Sequence, residues 1–461
     1  MADAGTRFDI VIVGGGSGGY ACALRVSQLG LSVALVEEDK LGGTCLHRGC
    51  IPTKALLHAG EVADAVRESD TFGIKATLDG VDLIGVNGYK DGVVSRLYKG
   101  LQGLIKSREI TVVQGHGKLV EPNVVEVDGT RYEGRHIVLA SGSYTKSLPG
   151  LDLDGERIIS SWDALQRETV PDQAIVLGGG VIGVEFASAW RSLGAEVTIL
   201  EALPRLVAAE DAACSKGIER AFRKRGITFK TSTPFASVDK TSSGVRVTVE
   251  SGDTYDADVL LVAVGRGPHT TDLGYEAQGI EMDRGYVLTN ERLQTNVAGV
   301  YAVGDIVPGM QLAHRGFQHG IFVAEDIAGL EPTPINEDGI PRVTYSNPEV
   351  ASVGLSEERA KEKYGDDRVE TLTYDLGGNG KSQILKTAGF VKLVRETDGP
   401  VVGVHMVGAR VGELIGEAQL IYNWEAFPED VAPLVHMHPT QGEALGEAHL
   451  ALAGKPLHNH S

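Results

Sequence analysis

Short apolar runs, each halted by glycine, alternate along the chain with stretches in which apolar residues recur at helical spacing. Phe8-Asp9-Ile10-Val11-Ile12-Val13 is one such run, and it meets Gly14-Gly15-Gly16-Ser17-Gly18-Gly19. Helical periodicity follows through Leu29, Gly30 closes it, and a second strand, Ser32 to Val36, ends at Glu37. The whole pattern then returns. Ala174-Ile175-Val176-Leu177 leads into Gly178-Gly179-Gly180-Val181-Ile182-Gly183, a helix through Leu193, Gly194, and a strand from Val197 to Leu200 ending at Glu201. First glycine and acid are equally far apart in both copies, so the chain holds an internal repeat.

Between the copies, Lys54 to Arg67 is amphipathic and a looser helix-prone region runs to Lys106. Strands are expected at Thr111–Val113, at Val124–Val127, and from His136 into the turn Ser141-Gly142-Ser143. Ser147 to Asp163, with Pro149, Gly150 and Gly155, reads as a linker. Asp258 to Arg266 is an apolar strand meeting a glycine turn, and Gly299 to Asp305 is another. From Val343 to Val407 the pattern is β-rich, then helical from Glu413 to Asn423 and again after Pro439. The prediction is an α/β chain with two Rossmann-like dinucleotide-binding domains, 1–148 and 149–270. A central segment, 271–338, completes the first, and an α+β domain follows at 339–461.

Charge and cysteine content narrow the function. A formal net charge of −19 with no Lys/Arg block excludes a nucleic-acid partner. No apolar stretch is long enough for a membrane span, and Met1 to Arg7 lacks a basic leader, which places the protein in the cytoplasm. Four cysteines in so long a chain are not a disulfide framework. Cys22 and Cys214 fall in helical patterns as small core residues. Cys45 and Cys50 lie within Gly43-Thr44-Cys45-Leu46-His47-Arg48-Gly49-Cys50-Ile51-Pro52-Thr53-Lys54.

Strand, GxGxxG, helix, strand and acid together form the dinucleotide fingerprint. Gly14, Gly16 and Gly19, and likewise Gly178, Gly180 and Gly183 with Val181 and Ile182, bring backbone amides up to a pyrophosphate at a helix N-terminus. Glu37 sits where a carboxylate binds a ribose diol. Glu201, in the same place, selects NAD by accepting from its 2′-hydroxyl and repelling the 2′-phosphate of NADP; Arg205, four residues on, could soften that choice. Two nucleotide sites and one cysteine pair imply an electron path: a flavin, a nicotinamide and a dithiol relay. The pair begins a helical segment, where amides lower a thiol pKa. CxxxxC without a second Cys/His cluster is poor zinc spacing, so no metal is expected. Two readings of the C-terminal histidine stand. His438 with Glu443 suits an acid/base pair. Alternatively, Thr440-Gln441-Gly442-Glu443 is a capping box opening the last helix, beside two strand-end histidines, His436 and His438.

Taken in order, the two fingerprints, the Gly43–Lys54 motif, Val264-Gly265-Arg266, Tyr301-Ala302-Val303-Gly304-Asp305 and His438-Pro439-Thr440 with Glu443 resemble the flavin-dependent pyridine nucleotide-disulfide oxidoreductases over essentially the whole chain. The resemblance implies FAD on the first copy, with Glu37 on the adenosine ribose and Gly117 offering backbone to the adenine end. Gly43, Thr44, Ser141, Gly142, Asp305 and Gln311-Leu312-Ala313-His314 would line the rest of it, and Gly265 would be a further cofactor-binding position. The family more often has Thr at 141. Cys45 would meet the substrate and Cys50 the flavin. Lys54 would lie near the flavin N5 and pair with Glu185. His438, held by Glu443, would come from the neighbouring subunit, making the site a property of a homodimer whose C-terminal domain is the interface.

The activity implied is oxidation of dihydrolipoamide, on the lipoyl domain of an acyltransferase in a 2-oxoacid dehydrogenase complex, with NAD as acceptor. The other readings are an NADPH-driven mycothione or glutathione reductase and a non-catalytic flavoprotein scaffold. One departure stands out: His47-Arg48 lies where the family usually has Asn-Val. Arg48 either stabilises a thiolate or faces solvent.

Overall fold

A computed structural model describes residues 6–458. Met1–Gly5, on which the reading of the N-terminus partly rests, and Asn459–Ser461 lie outside the described residues. The chain divides into two compact units, one of Met1–Leu56, Ile84–Lys146 and Gly265–Ile335, the other of Leu57–Leu83, Ser147–Val264 and Asn336–Ser461.

In the first unit, Arg7–Val13 lies centrally in a seven-stranded sheet. It pairs in parallel with Val33–Glu37 on one side and Thr130–Leu139 on the other, Ile12 facing both Leu35 and Val138. Thr111–Gln114 and Val300–Ala302 extend the parallel part. Strands buried on both faces have to be apolar throughout, as Ile10 to Val13 are. The helix Ser17–Gln28 packs on this sheet beside Ala313–Ile327. A Cβ on Gly320 would lie 2.2 Å from the Gly18 carbonyl oxygen, so these helices meet backbone to backbone. That approach brings residues 311–314 to the first glycine turn's helix.

The second unit has two main sheets. Thr228–Lys230, Glu196–Leu200, Gln173–Leu177, Val259–Val262 and Ile158–Ile159 form a parallel one. The other, antiparallel, runs Arg342–Thr344, Glu349–Gly354, Val401–Gly408, Phe390–Glu396, Val369–Asp375. It carries the helices Val411–Asn423 and Glu443–Leu452.

Two expectations change. The stretch from Ser147 to Asp163 is no plain linker: Ile158–Ile159 is the edge strand of the parallel sheet, and Ser160 caps the helix Ser161–Ala164 through a capping box with Asp163. A strand of two residues has no periodicity to read. The runs 136–143 and 258–266 each break in two. Ser143–Thr145 and Arg266–Pro268 leave their parent strands and pair with each other. Cys22 and Cys214 are buried in helices as expected.

Candidate active site

Both glycine turns are dictated by space. Gly14 and Gly178 have φ of 104° and 108°, which favours glycine. A Cβ on Gly19 would stand 1.8 Å from the Gly14 carbonyl oxygen, and one on Gly183 1.9 Å from that of Gly178. At Gly16 and Gly180, by contrast, nothing lies within 4 Å of a built Cβ. Each turn is therefore closed towards its own strand and open at the start of its helix, where a pyrophosphate fits. The first opens on a pocket lined by Gly14, Glu37, Gly117 and Ser141, residues expected at the adenosine end of FAD.

The acids close the turns. Glu37 Oε2 accepts from the Gly15 amide at 2.7 Å and Oε1 from Asp39 at 2.8 Å. Glu201 accepts from Gly179 at 2.5 Å and Leu203 at 2.6 Å. Burial pushes the Glu37 carboxyl up, and the two amides oppose it. Each carboxylate oxygen keeps a lone pair for a ribose hydroxyl. Arg205 is not placed to soften the choice of nicotinamide. Its guanidinium pairs with Glu358 at 3.1 Å and donates to the carbonyls of Ala208 and Glu210.

The redox loop folds back onto the first turn. The Gly42 amide donates to the Gly15 carbonyl at 2.8 Å, and a Cβ on Gly43 would come within 2.8 Å of Gly16 Cα. Thr44 and Cys45 lie in the short helix Gly43–His47, and Cys50 opens the helix Cys50–Arg67, whose first turns hold Lys54. Cys45 and Cys50 are thiols joined by a hydrogen bond. The expected lowering of the thiol pKa is not found at Cys45. The hydrogen bond with Cys50, burial and repulsion by a Cys50 charge push it up, and the Lys54 cation only opposes them. The hydrogen bond, burial and repulsion each favour the protonated form of Cys45.

Arg48 is half exposed and paired with an acid. Its Nη2 meets Asp39 Oδ2 at 2.5 Å, while His47 Nε2 bonds the Leu41 carbonyl at 2.9 Å and its ring stands edge-on to Tyr98. Both residues tether the loop to the turn that follows Glu37.

Beneath the loop runs a chain of polar contacts. The Ser143 hydroxyl donates to Asp305 Oδ2 at 2.5 Å. Arg266 donates to the Ser143 hydroxyl at 2.8 Å and carbonyl at 2.6 Å, and reaches Thr44 Oγ1 at 3.5 Å. Burial lowers the Arg266 pKa, while Asp305 and Cys50 favour its charge. Gln311 Nε2 donates to the Asp305 carbonyl at 3.5 Å, and Leu312 precedes the helix beginning at Ala313 and His314. Sequence reasoning missed Ser143, Arg266 and Tyr20 as site residues. Tyr20, whose phenol is pushed up to about 12 by burial and by the cysteines' charges, lies near the pair. The signal was available, since Ser143 and Arg266 each follow a predicted turn glycine, Gly142 (φ 77°) and Gly265 (φ 110°).

In the second unit, Val181 and Ile182 begin the helix Val181–Leu193 over Gly180. Glu185, on the same helix, is buried, and its Oε1 accepts from the Tyr345 amide at 2.9 Å. The capping box does not form: the last helix begins at Glu443 after Gly442 with no side-chain cap, and the Thr440 hydroxyl donates to the Met437 carbonyl at 2.7 Å. Glu443 Oε2 accepts from the Thr440 amide at 2.8 Å, while Oε1 meets His438 Nδ1 at 2.8 Å. Burial would raise this carboxyl, but the Thr440 amide and His438 hold it below its usual value. With Nδ1 committed, Nε2 is the nitrogen free to exchange a proton, on a side chain 78% exposed.

The pyridine nucleotide-disulphide oxidoreductase model matches residues 8–320, and the dimerisation-domain model of that family matches residues 340–449. The chain is 41% identical over 465 residues to the mitochondrial dihydrolipoyl dehydrogenase of Pisum sativum, covering 98% of this chain and 92% of that protein. It is 39% identical to the dihydrolipoyl dehydrogenase of Bacillus subtilis, covering 98% and 99%, and 40% identical to a leghemoglobin reductase of Glycine max, covering 98% and 88%. Among solved structures, LpdA from Mycobacterium tuberculosis superposes with a TM-score of 0.90 at 26% identity, covering 97% of this chain and 99% of that one.

Proposed function

We propose that this chain, which belongs to the pyridine nucleotide-disulphide oxidoreductase family, oxidises protein-bound dihydrolipoamide to lipoamide with FAD as resident cofactor and NAD as acceptor. The observation that carries the reading is the paired thiols of Cys45 and Cys50 on a loop packed against the first glycine turn. Bound at that turn, FAD supplies two-electron transfer between the dithiol and the nicotinamide.

The chain's own residues handle thiols and protons. With Cys45 and Cys50 joined as a disulfide, His438 Nε2 takes a proton from a substrate thiol, and Glu443 stabilises the resulting imidazolium. The substrate thiolate attacks Cys45 Sγ, the Cys45–Cys50 bond breaks, and Cys50 leaves as thiolate. The second substrate thiol then attacks the substrate sulfur joined to Cys45, its proton passing to Cys45 as that thiol departs. The substrate leaves as a disulfide, and the protein holds the electron pair as the Cys45 thiol and Cys50 thiolate, with the first proton on His438. Cys50 is the thiol assigned to the flavin, with Lys54 beside it and Glu185 as the carboxylate that places Lys54. Gly14, Gly16, Gly19, Glu37, Gly43, Thr44, Gly117, Ser141, Gly142, Asp305 and residues 311–314 hold FAD; Gly178, Gly180, Val181, Ile182, Gly183, Glu201 and Gly265 hold NAD. The dimerisation domain supports a homodimer, in which His438 serves the neighbouring subunit's thiols. The partner is the lipoyl domain of an acyltransferase.

Replacing Cys45 with Ser should abolish dihydrolipoamide turnover while the protein stays yellow. Steady-state rates with dihydrolipoamide and NAD should exceed those with glutathione or mycothione disulfide and NADPH; the reverse order would overturn the reading.

A further inference from the structure

Few bonds hold the segment that carries His438; one is donated by the Thr440 hydroxyl to the Met437 carbonyl at 2.7 Å. Among the described residues, no backbone amide from Val435 to His438 donates to a backbone carbonyl. Val435 is 96% exposed and Met437 75% exposed. Besides His438 itself, which meets Glu443, one side chain of the stretch is anchored. The His436 ring is 15% exposed, its Nε2 meets Glu417 Oε1 at 2.8 Å on the helix Val411–Asn423, and it lies flat over Gly446 of the helix Glu443–Leu452. The fit there is tight, because a Cβ on Gly446 would come within 2.5 Å of His436 Nδ1. The partners of the two histidines differ accordingly. Glu443 sets the His438 ring's tautomer and direction, whereas the backbone carrying that ring is fixed by the His436 side chain and by the bond from Thr440 to the Met437 carbonyl.

We propose that His436 is a positioning residue for the acid/base histidine: wedged over Gly446 and paired with Glu417, it fixes the backbone from which His438 presents Nε2 to the substrate thiol. The inference rests on the role given to His438 above. It explains why glycine stands at 446 in the middle of a helix, where alanine would otherwise favour the helix. Glu417 also favours the protonated His436, which strengthens the anchor.

Three variants of the holoenzyme test it. His436→Ala removes the anchor. His436→Gln keeps an N–H donor for Glu417. Gly446→Ala displaces the ring without altering His436, Glu417 or His438, and it favours helix formation, so misfolding is not the expected outcome. Because a misplacement of about 1 Å in a catalytic group costs up to about 100-fold, kcat for dihydrolipoamide should fall between about 10- and 100-fold in His436→Ala and Gly446→Ala. KM should hold within about 2-fold, since the substrate is still bound but its proton is poorly taken. NADH-driven reduction of ferricyanide, which needs no thiol proton transfer, should stay at the unsubstituted rate. His436→Gln should recover most of the loss.

Unchanged kcat in both disrupting variants would overturn the proposal, as would parallel losses of thiol and ferricyanide activity, which mark a general structural role. His438→Ala separates the two claims. If it abolishes dihydrolipoamide turnover while the His436 variants behave normally, only the positioning role falls; if it too turns over normally, the acid/base assignment falls and takes this one with it.

Discussion

The turn at Gly14–Gly19 and the turn at Gly178–Gly183 repeat one another through the acid and one hydrogen bond beyond it, and then diverge. Gly42 in the first and Val207 in the second each donate an amide to the carbonyl of the turn's second glycine, Gly15 or Gly179, at 2.8 Å. After Gly42 comes another glycine, which lets the loop lie against Gly16 and seats Cys45 and Cys50 there. After Val207 come Glu210 and Asp211, both buried. Asp211 caps the helix Ala212–Lys224 and pairs with Lys392 at 2.9 Å, while Glu210 pairs with Arg342 at 3.2 Å and takes a bond from Ser352. The same cradle thus serves two ends. Following residues turn one copy into a redox centre and brace the other against the C-terminal sheet.

The strongest test of that difference removes the brace. In Lys392→Met, Asp211 loses its cation in a buried site, which should cost about 3–5 kcal/mol in urea unfolding. Against the pull of burial, His405, the Glu357 amide and Lys392 hold the Asp211 carboxyl below the ordinary aspartate value of 3.8. Its contribution is therefore full above that value and lost as pH falls through the lower folded value, so the gap between parent and variant should narrow on acidification to below about pH 4. A gap that is constant with pH would show that the pair is not the source.

Next come the crowded glycines. Gly19→Ala and Gly183→Ala each place a methyl on a carbonyl oxygen and should cost about 1–3 kcal/mol or more. The losses should separate by copy: Gly19→Ala should release flavin, read as lost 450-nm-region absorbance, whereas Gly183→Ala should stay yellow and lose NADH binding. If Gly183→Ala also bleached, the assignment of one cofactor to each turn would fail.

A smaller effect is expected at Glu37, whose carboxyl is raised from 4.5 by burial. Its stabilisation is present below the unfolded value and declines as pH rises through the raised folded value. In flavin-free protein, the parent should lose stability relative to Glu37→Gln as pH rises above the ordinary carboxylate range, a difference that paired chemical denaturations would measure.

Smallest is Arg48→Ala. The pair with Asp39 is half exposed, so its loss should change stability by less than about 1 kcal/mol and leave dihydrolipoamide turnover within about twofold. A large fall in turnover would restore Arg48 to the thiolate.

What the sequence determined by itself was whatever depends on local sterics and spacing. Glycines at 14, 16 and 19 and at 178, 180 and 183 are required because neighbouring backbone fills the space at some and a ligand needs it at others. The acid that ends each second strand, the paired cysteines between glycines and the change of pattern near residue 340 were legible for the same reason: each is written within a few turns of chain. Tertiary structure alone decided what distant segments do for one another. Ile158–Ile159 is a strand because Leu260 and Leu261 offer it an edge, not because its own residues demand one. Arg48 belongs to Asp39, Arg266 to Ser143 and Thr44, and Lys392 to Asp211, pairings that no local periodicity encodes. Glu443 both takes the Thr440 amide and holds His438 because a carboxylate has two oxygens, and only the folded chain brings a partner to each.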